Sequence, residues 1–213
     1  MSPVVPHAGS FFHSFIKLLP ANRMKLALIN IKQLVTVPSN GIRVKTGKDM
    51  SSLGCIENAA ILVENDHITW IGRMEDLSMS SLGETDVLDC LDRVVMPGFV
   101  DSHTHLVFAG SREEEFAMRS AGASYREIAE RGGGILSTVQ KVRETPKKDL
   151  KKNARRWMNA MLQQGTTTVE IKSGYGLDTD NEIKLLEAIR ELDREEMMTV
   201  VSTFLGAHAI PPE

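Results

Sequence analysis

Between Val94 and His105 the chain reads VVMPGFVDSHTH, and few folds accommodate that string. An apolar run, Val94-Val95-Met96, breaks at Pro97-Gly98, resumes at Phe99-Val100 and ends in Asp101-Ser102-His103-Thr104-His105. A short, nearly continuous apolar run marks a strand buried in a parallel sheet. Residues two apart on a strand project from one face, so an extended Phe99–His105 sets the imidazoles of His103 and His105 side by side. Two nitrogens so placed can share one metal ion at about 2.0–2.1 Å each. Such a pair also occurs as two surface or capping histidines. Its position at the carboxyl end of a buried strand, with Asp101 beside it, is where α/β barrels keep their active sites, and this favours the metal reading.

Downstream, strand and helix signals alternate. Ser124–Glu127 is a capping box ahead of Ile128 and Ala129, and Gly132-Gly133-Gly134 ends that turn. Three glycines in a row permit positive φ and close backbone approach, or simply a flexible loop. Leu150, Ala154, Trp157, Met158 and Met161 recur at helical spacing and are expected in the core, with Gly165 closing the helix. Thr166–Ile171 is the next buried strand and delivers Lys172–Leu177 to a loop. Thr179–Glu182 reads as a second capping box, before a helix with Ile183, Leu186, Ile189 and Leu192 on one face. Thr199–Leu205 is a third buried strand, delivering His208. Units of this length imply parallel β-α crossovers, and the fold class is α/β.

Upstream, Lys25–Val37 reads as one or two strands, Ser39-Asn40-Gly41 as a turn, and Ala60–Val63 with His67–Ile71 as a hairpin that Gly72 stops. Asp86–Leu91 is a further strand. Residues 24–93 therefore look like a small β-domain, and residues 94–213 like part of a barrel. Residues 1–23 read as an unstructured leader before Met24. The first 48 residues hold seven Lys or Arg and no Asp or Glu, and Phe11–Leu19 has some character of a targeting segment. His13 and Lys17 break a secretory h-region, and an Arg-rich presequence would offer more than Arg23. A cytoplasmic location is the expectation.

The net charge of −3 singles out neither nucleic acid nor an anionic membrane as a partner. Two cysteines, Cys55 and Cys90, are too few for a disulfide framework and fit a reducing compartment.

PGFVDSHTH, followed by LVFAGSR, GGGI, KSGYGLD and FLGAHAIP, resembles the imidazolonepropionase family of the amidohydrolase superfamily. The resemblance runs from about Lys25 to the end and covers about the first half of such an enzyme. It implies a partial TIM-type (β/α)8 barrel, its first three strands, preceded by a small β-sandwich domain. It implies metal-assisted opening of the cyclic amide 4-imidazolone-5-propanoate to N-formimino-L-glutamate in histidine degradation. One zinc or iron ion would be held by His103 and His105, with further ligands from later strands. Arg112, Tyr175 and His208 would bind this small-molecule substrate, and no catalytic base is assigned in this half. Taken without the family, Arg112 fits a surface pair with Glu113–Glu115, Tyr175 a loop aromatic covering the core edge, and His208 a structural histidine, a neutral donor to the ring carbonyl, or a metal ligand. Another cyclic amidohydrolase or aminohydrolase, or a truncated chain without catalysis, are the rival readings. Three strands of the eight a barrel needs leave the 213-residue chain expected to be inactive alone. A homodimer is one assembly open to the complete protein.

Overall fold

A computed structural model describes residues 25–39, 41–78, 80 and 82–210. The leader reading and Asn40 of the turn lie outside the described residues. The chain divides into two compact units, with the boundary between Gly98 and Phe99.

The first unit holds one five-stranded sheet: β1 (Lys25–Val35), β2 (Cys55–Glu64), β3 (His67–Arg73), β4 (Asp86–Asp89) and β5 (Val94–Val95). The order is β3-β2-β1-β4, with β5 also on β1. β1 runs antiparallel to β2 and parallel to β4 and β5. Its register slips between Leu28 and Ile31, where Asn30 adopts φ 53°. Asn tolerates this left-handed geometry, and the extra residue makes a bulge. The bulge also divides the edge: Leu26–Ile29 pair with β4 and Gln33–Leu34 with β5. The hairpin turns at Asn65-Asp66, with Asn65 at φ 57°. Gly72 does not stop β3, which continues to Arg73. A Cβ at Gly72 would lie 2.5 Å from the Trp70 ring, so glycine serves there to let the indole lie flat against the strand. Leu28, Ile31, Leu34, Ile61 and Val63 form one buried cluster, and Ala27, Ala60, Leu77 and Leu82 another.

Val94–Val95 thus pairs in the first unit rather than opening the second. One apolar run supplies two sheets, and Pro97-Gly98 is the joint between its halves.

The second unit opens with β6 (Phe99–Thr104), followed by helices α1 (Glu113–Ser120), α2 (Tyr125–Glu130), α3 (Ile135–Glu144) and α4 (Lys147–Gln163). Then come β7 (Thr166–Lys172), α5 (Thr179–Glu195) and β8 (Thr199–Thr203). The strands form a parallel sheet in the order β6-β7-β8. Val169 and Ile171 of β7 pack with Leu150, Ala154 and Met158 of α4 and with Leu185, Ile189 and Leu192 of α5.

The Ser124–Glu127 box forms: the Glu127 carboxylate accepts from Ser124 N at 2.7 Å, and Ser124 Oγ accepts from Glu127 N at 3.3 Å. Gly165 closes α4 at φ 90°, its N–H bonded to Leu162 O at 2.9 Å. Trp157 is not core. It is 42% exposed, one residue off the Leu150–Ala154–Met158 stripe, with the Arg156 guanidinium 5.5 Å from its ring centroid.

The α5 face is also turned from the expected one. Its buried residues are Glu182, Leu185, Ala188, Ile189 and Leu192, whereas Ile183 is 49% exposed. The i, i+3, i+7, i+10 series runs through a glutamate, which a purely apolar stripe omits. The cap is Asp178, not Thr179: its carboxylate accepts from Asn181 N at 2.8 Å. Between α4 and α5, Lys147, Lys151 and Arg155 interlock with Glu187, Glu191, Glu195 and Glu196. No helix among the described residues is long and apolar enough to cross a membrane.

Candidate active site

The carboxyl ends of the three parallel strands carry the polar groups. β6 ends at Thr104, whose hydroxyl donates to Glu170 O at 2.6 Å and ties it to β7 across a break in register between Asp101 and Thr104. Asp101 Oδ1 accepts from His103 N at 3.2 Å. His103 is exposed, His105 half-buried, and their ring centroids stand 6.0 Å apart at 54°. Two imidazoles bound to one ion at about 2.1 Å from each nitrogen have centroids no more than about 6.4 Å apart. The observed spacing fits that limit. His105 Nδ1 is buried without a hydrogen bond of good geometry. Burial first, then the neighbouring His208, pushes the His105 pKa down, which favours the neutral ring a ligand must be. The Ser173 backbone holds the ring only weakly and opposes this fall, and a buried nitrogen so loosely satisfied is what an ion or a ligand would complete. Among the described residues no group of three or more His, Cys, Asp or Glu is placed to hold a metal ion, so the two histidines are a pair of donors and not a full set.

His105 is also the centre of an aromatic cluster. The His208 ring stacks on it at 4.6 Å and 7°, and the Tyr175 ring lies 4.7 Å away. Tyr175 and His208 are 5.4 Å apart. Groups separated by more than a hundred residues therefore meet, because β6 and β8 flank β7 in one parallel sheet and deliver their loops to the same end. Burial raises the Tyr175 phenol above its ordinary range, and the nearby Arg112 charge opposes this. The phenol is a protonated donor at neutral pH.

His208 Nδ1 lies 3.0 Å from Gly174 O. A carbonyl only accepts, so Nδ1 carries the proton and Nε2 of the neutral ring is an acceptor. Arg112 pairs as its sequence neighbours allow: Nε and Nη2 both reach Glu115 Oε2, at 2.9 and 2.5 Å. That hydrogen bond raises the Arg112 pKa and lowers that of Glu115. The other Glu115 oxygen accepts from Gly134 N at 3.0 Å, which ties the triple-glycine loop to Arg112. The loop itself lines a groove of about 670 Å³ with Tyr125, Ile135 and Gln140, and neither histidine of the pair borders it.

Two buried groups under the site escape a reading of motifs. Ser173, 1% exposed, accepts through Oγ from Leu205 N at 3.0 Å and so links the loop after β7 to the one after β8. Glu182, 4% exposed, directs its carboxylate from α5 at the backbone of the β7 loop. The signal for Glu182 was a charged residue in phase with Leu185, Ile189 and Leu192.

A sequence model of the Amidohydrolase family matches residues 94–198. Two solved structures share the fold: Escherichia coli guanine deaminase, with a TM-score of 0.52 and 15% identity over 86% of this chain and 36% of that one, and a triazine hydrolase from Arthrobacter aurescens, with a TM-score of 0.51 and 17% identity over 85% and 35%. The three-stranded α/β unit is thus a fragment of a TIM-type barrel, of the amidohydrolase class. Imidazolonepropionases from Bacillus cereus strain G9842 and Bacillus thuringiensis strain Al Hakam are 47% identical to it over 87% of this chain and 43% of theirs. The chain is similar to imidazolonepropionases and matches the Amidohydrolase family over residues 94–198, and it spans less than half the length of the curated relatives it matches.

Proposed function

We propose that this chain forms the first part of a hydrolase that opens the cyclic amide 4-imidazolone-5-propanoate to N-formimino-L-glutamate. The observation that carries the reading is the convergence of His103, His105, Tyr175 and His208 at the carboxyl ends of three parallel strands. In this reading the chain as far as Gly98 belongs to a β-sandwich and the chain from Phe99 onward to the barrel, and the protein works in the cytoplasm on a small molecule, with a homodimer as one available assembly.

His103 and His105 would hold one zinc or iron ion, which when bound supplies an activated water and polarises the scissile carbonyl. The remaining work falls to side chains. Arg112 keeps donors free beyond the two that Glu115 takes, and these suit a propionate carboxylate. The Tyr175 phenol, kept protonated by burial, donates to a ring heteroatom. His208, with Nδ1 committed to Gly174 O, presents Nε2 to an N–H of the ring in its neutral form. The stacked His105 and His208 rings and Tyr175 form an aromatic wall on one side of the site.

The test uses the complete enzyme and compares turnover of 4-imidazolone-5-propanoate with that of a hydantoin, together with bound metal. His103→Ala and His105→Ala are each expected to lower bound metal at least about tenfold and to abolish turnover. Faster turnover of the hydantoin, or unchanged metal in both variants, overturns the reading.

A further inference from the structure

Glu182 stands on the buried face of α5 with Leu185, Ile189 and Leu192, where a carboxylate is unfavourable unless fully bonded. It is bonded, and entirely to backbone. Oε1 accepts from Gly174 N at 3.1 Å, Gly176 N at 2.7 Å and Leu177 N at 3.0 Å, and Oε2 from Gly174 N at 3.0 Å. Gly174 and Gly176 flank Tyr175, so one carboxylate grips the loop on both sides of that ring. The grip requires glycine. A Cβ at Gly176 would fall 2.5 Å from Glu182 N, and one at Gly174, where φ is +107°, would fall 2.9 Å from His208 Nδ1. The Gly174 carbonyl meanwhile accepts from His208 Nδ1. The segment that Glu182 anchors by one peptide N–H therefore orients His208 by the next carbonyl.

We infer that Glu182 is the positioning residue of this site: through the backbone of residues 174–177 it fixes the Tyr175 and His208 rings against His105. A leucine would fill the same buried volume but leave three loop N–H groups without an acceptor, so packing alone does not call for a glutamate here. The inference rests on the reading of Tyr175 and His208 as the substrate-facing pair, yet its test needs neither substrate nor metal.

In the complete protein the Tyr175 signals are assigned by their loss in a Tyr175→Phe variant. With 13C-labelled tyrosine in the full chain, the NMR signals of Tyr175 at neutral pH are displaced by the imidazoles 4.7 and 5.4 Å away. Glu182→Leu is expected to return them to the positions of an exposed tyrosine while far-UV circular dichroism and cooperative melting persist. Glu182→Gln, whose Oε1 still accepts but whose amide meets the Gly174 N–H donor to donor, is expected to move them part of the way. Ile189→Ala, on the same face but with no hydrogen-bonding group for the loop, is expected to lower the melting temperature and leave the signals in place. Tyr175 signals unmoved in a folded Glu182→Leu variant overturn the inference. If that variant does not melt cooperatively, unmoved signals in Glu182→Gln overturn it instead. An equal displacement in Ile189→Ala would reduce Glu182 to general support of the core. A failure of the complete enzyme to turn over imidazolone propionate touches none of these readouts.

Discussion

At Arg112 a single guanidinium faces two demands. Glu115 takes its Nε and one Nη2 donor, and the Glu115 carboxylate is itself held from behind by Gly134 N–H. The arginine side chain is still 40% exposed, and Glu115 occupies only two of its five donors. Arg112→Ala in the complete enzyme is expected to lower kcat/KM by about 2–5 kcal/mol while bound metal stays intact. Arg112→Lys should recover little, since an ammonium cannot reproduce the planar fork. Comparing substrates with and without the carboxylate is the check: an equal loss for both shows that Arg112 does not anchor that group.

At the scale of elements, α5 decides between two faces. Ile189 is fully buried between α4 and β7, whereas Ile183 is 49% exposed. Ile189→Ala is expected to destabilise by about 2–5 kcal/mol and Ile183→Ala by no more than about 0.5 kcal/mol. Urea unfolding of both variants measures the difference, and equal effects would place the face wrongly. This face also shows what a linear reading reaches. The Ser124 box and the Gly165 stop were legible because each rests on neighbours in sequence. Pairing of His105 with Tyr175 and His208 followed from parallel strands delivering their loops to one end. The phase of α5 was missed because Glu182 looks like a cap when only its four-residue window is seen. Its true partners are loop amides brought there by the fold. Trp157 was missed for the opposite reason: an aromatic in a stripe looks buried, and only packing shows which side of the stripe it takes.

On the scale of the whole molecule, each sheet buries one set of apolar residues and leaves another open, as at Val87 and Leu88 of β4. The first has buried clusters that include Leu28 and Ile31 in one and Ala27 and Ala60 in another. The second leaves Val100 of β6 65% exposed and Val201 of β8 51% exposed, in a parallel sheet of the kind normally covered on both faces. The 213-residue chain on its own is therefore expected to self-associate, with a sedimentation coefficient that rises with concentration. Val100→Lys combined with Val201→Lys should suppress the rise. A parent chain that stays monomeric across the range refutes the expectation. The first sheet carries a further exposure, in time rather than space. The β2–β3 hairpin closes within a few residues of chain, but Leu26 of β1 waits for Asp86, sixty positions later, and Leu34 for Val95. At a ribosome's pace of about 5–20 residues per second, that side of β1 is an open edge for about 3–12 s in every round of synthesis.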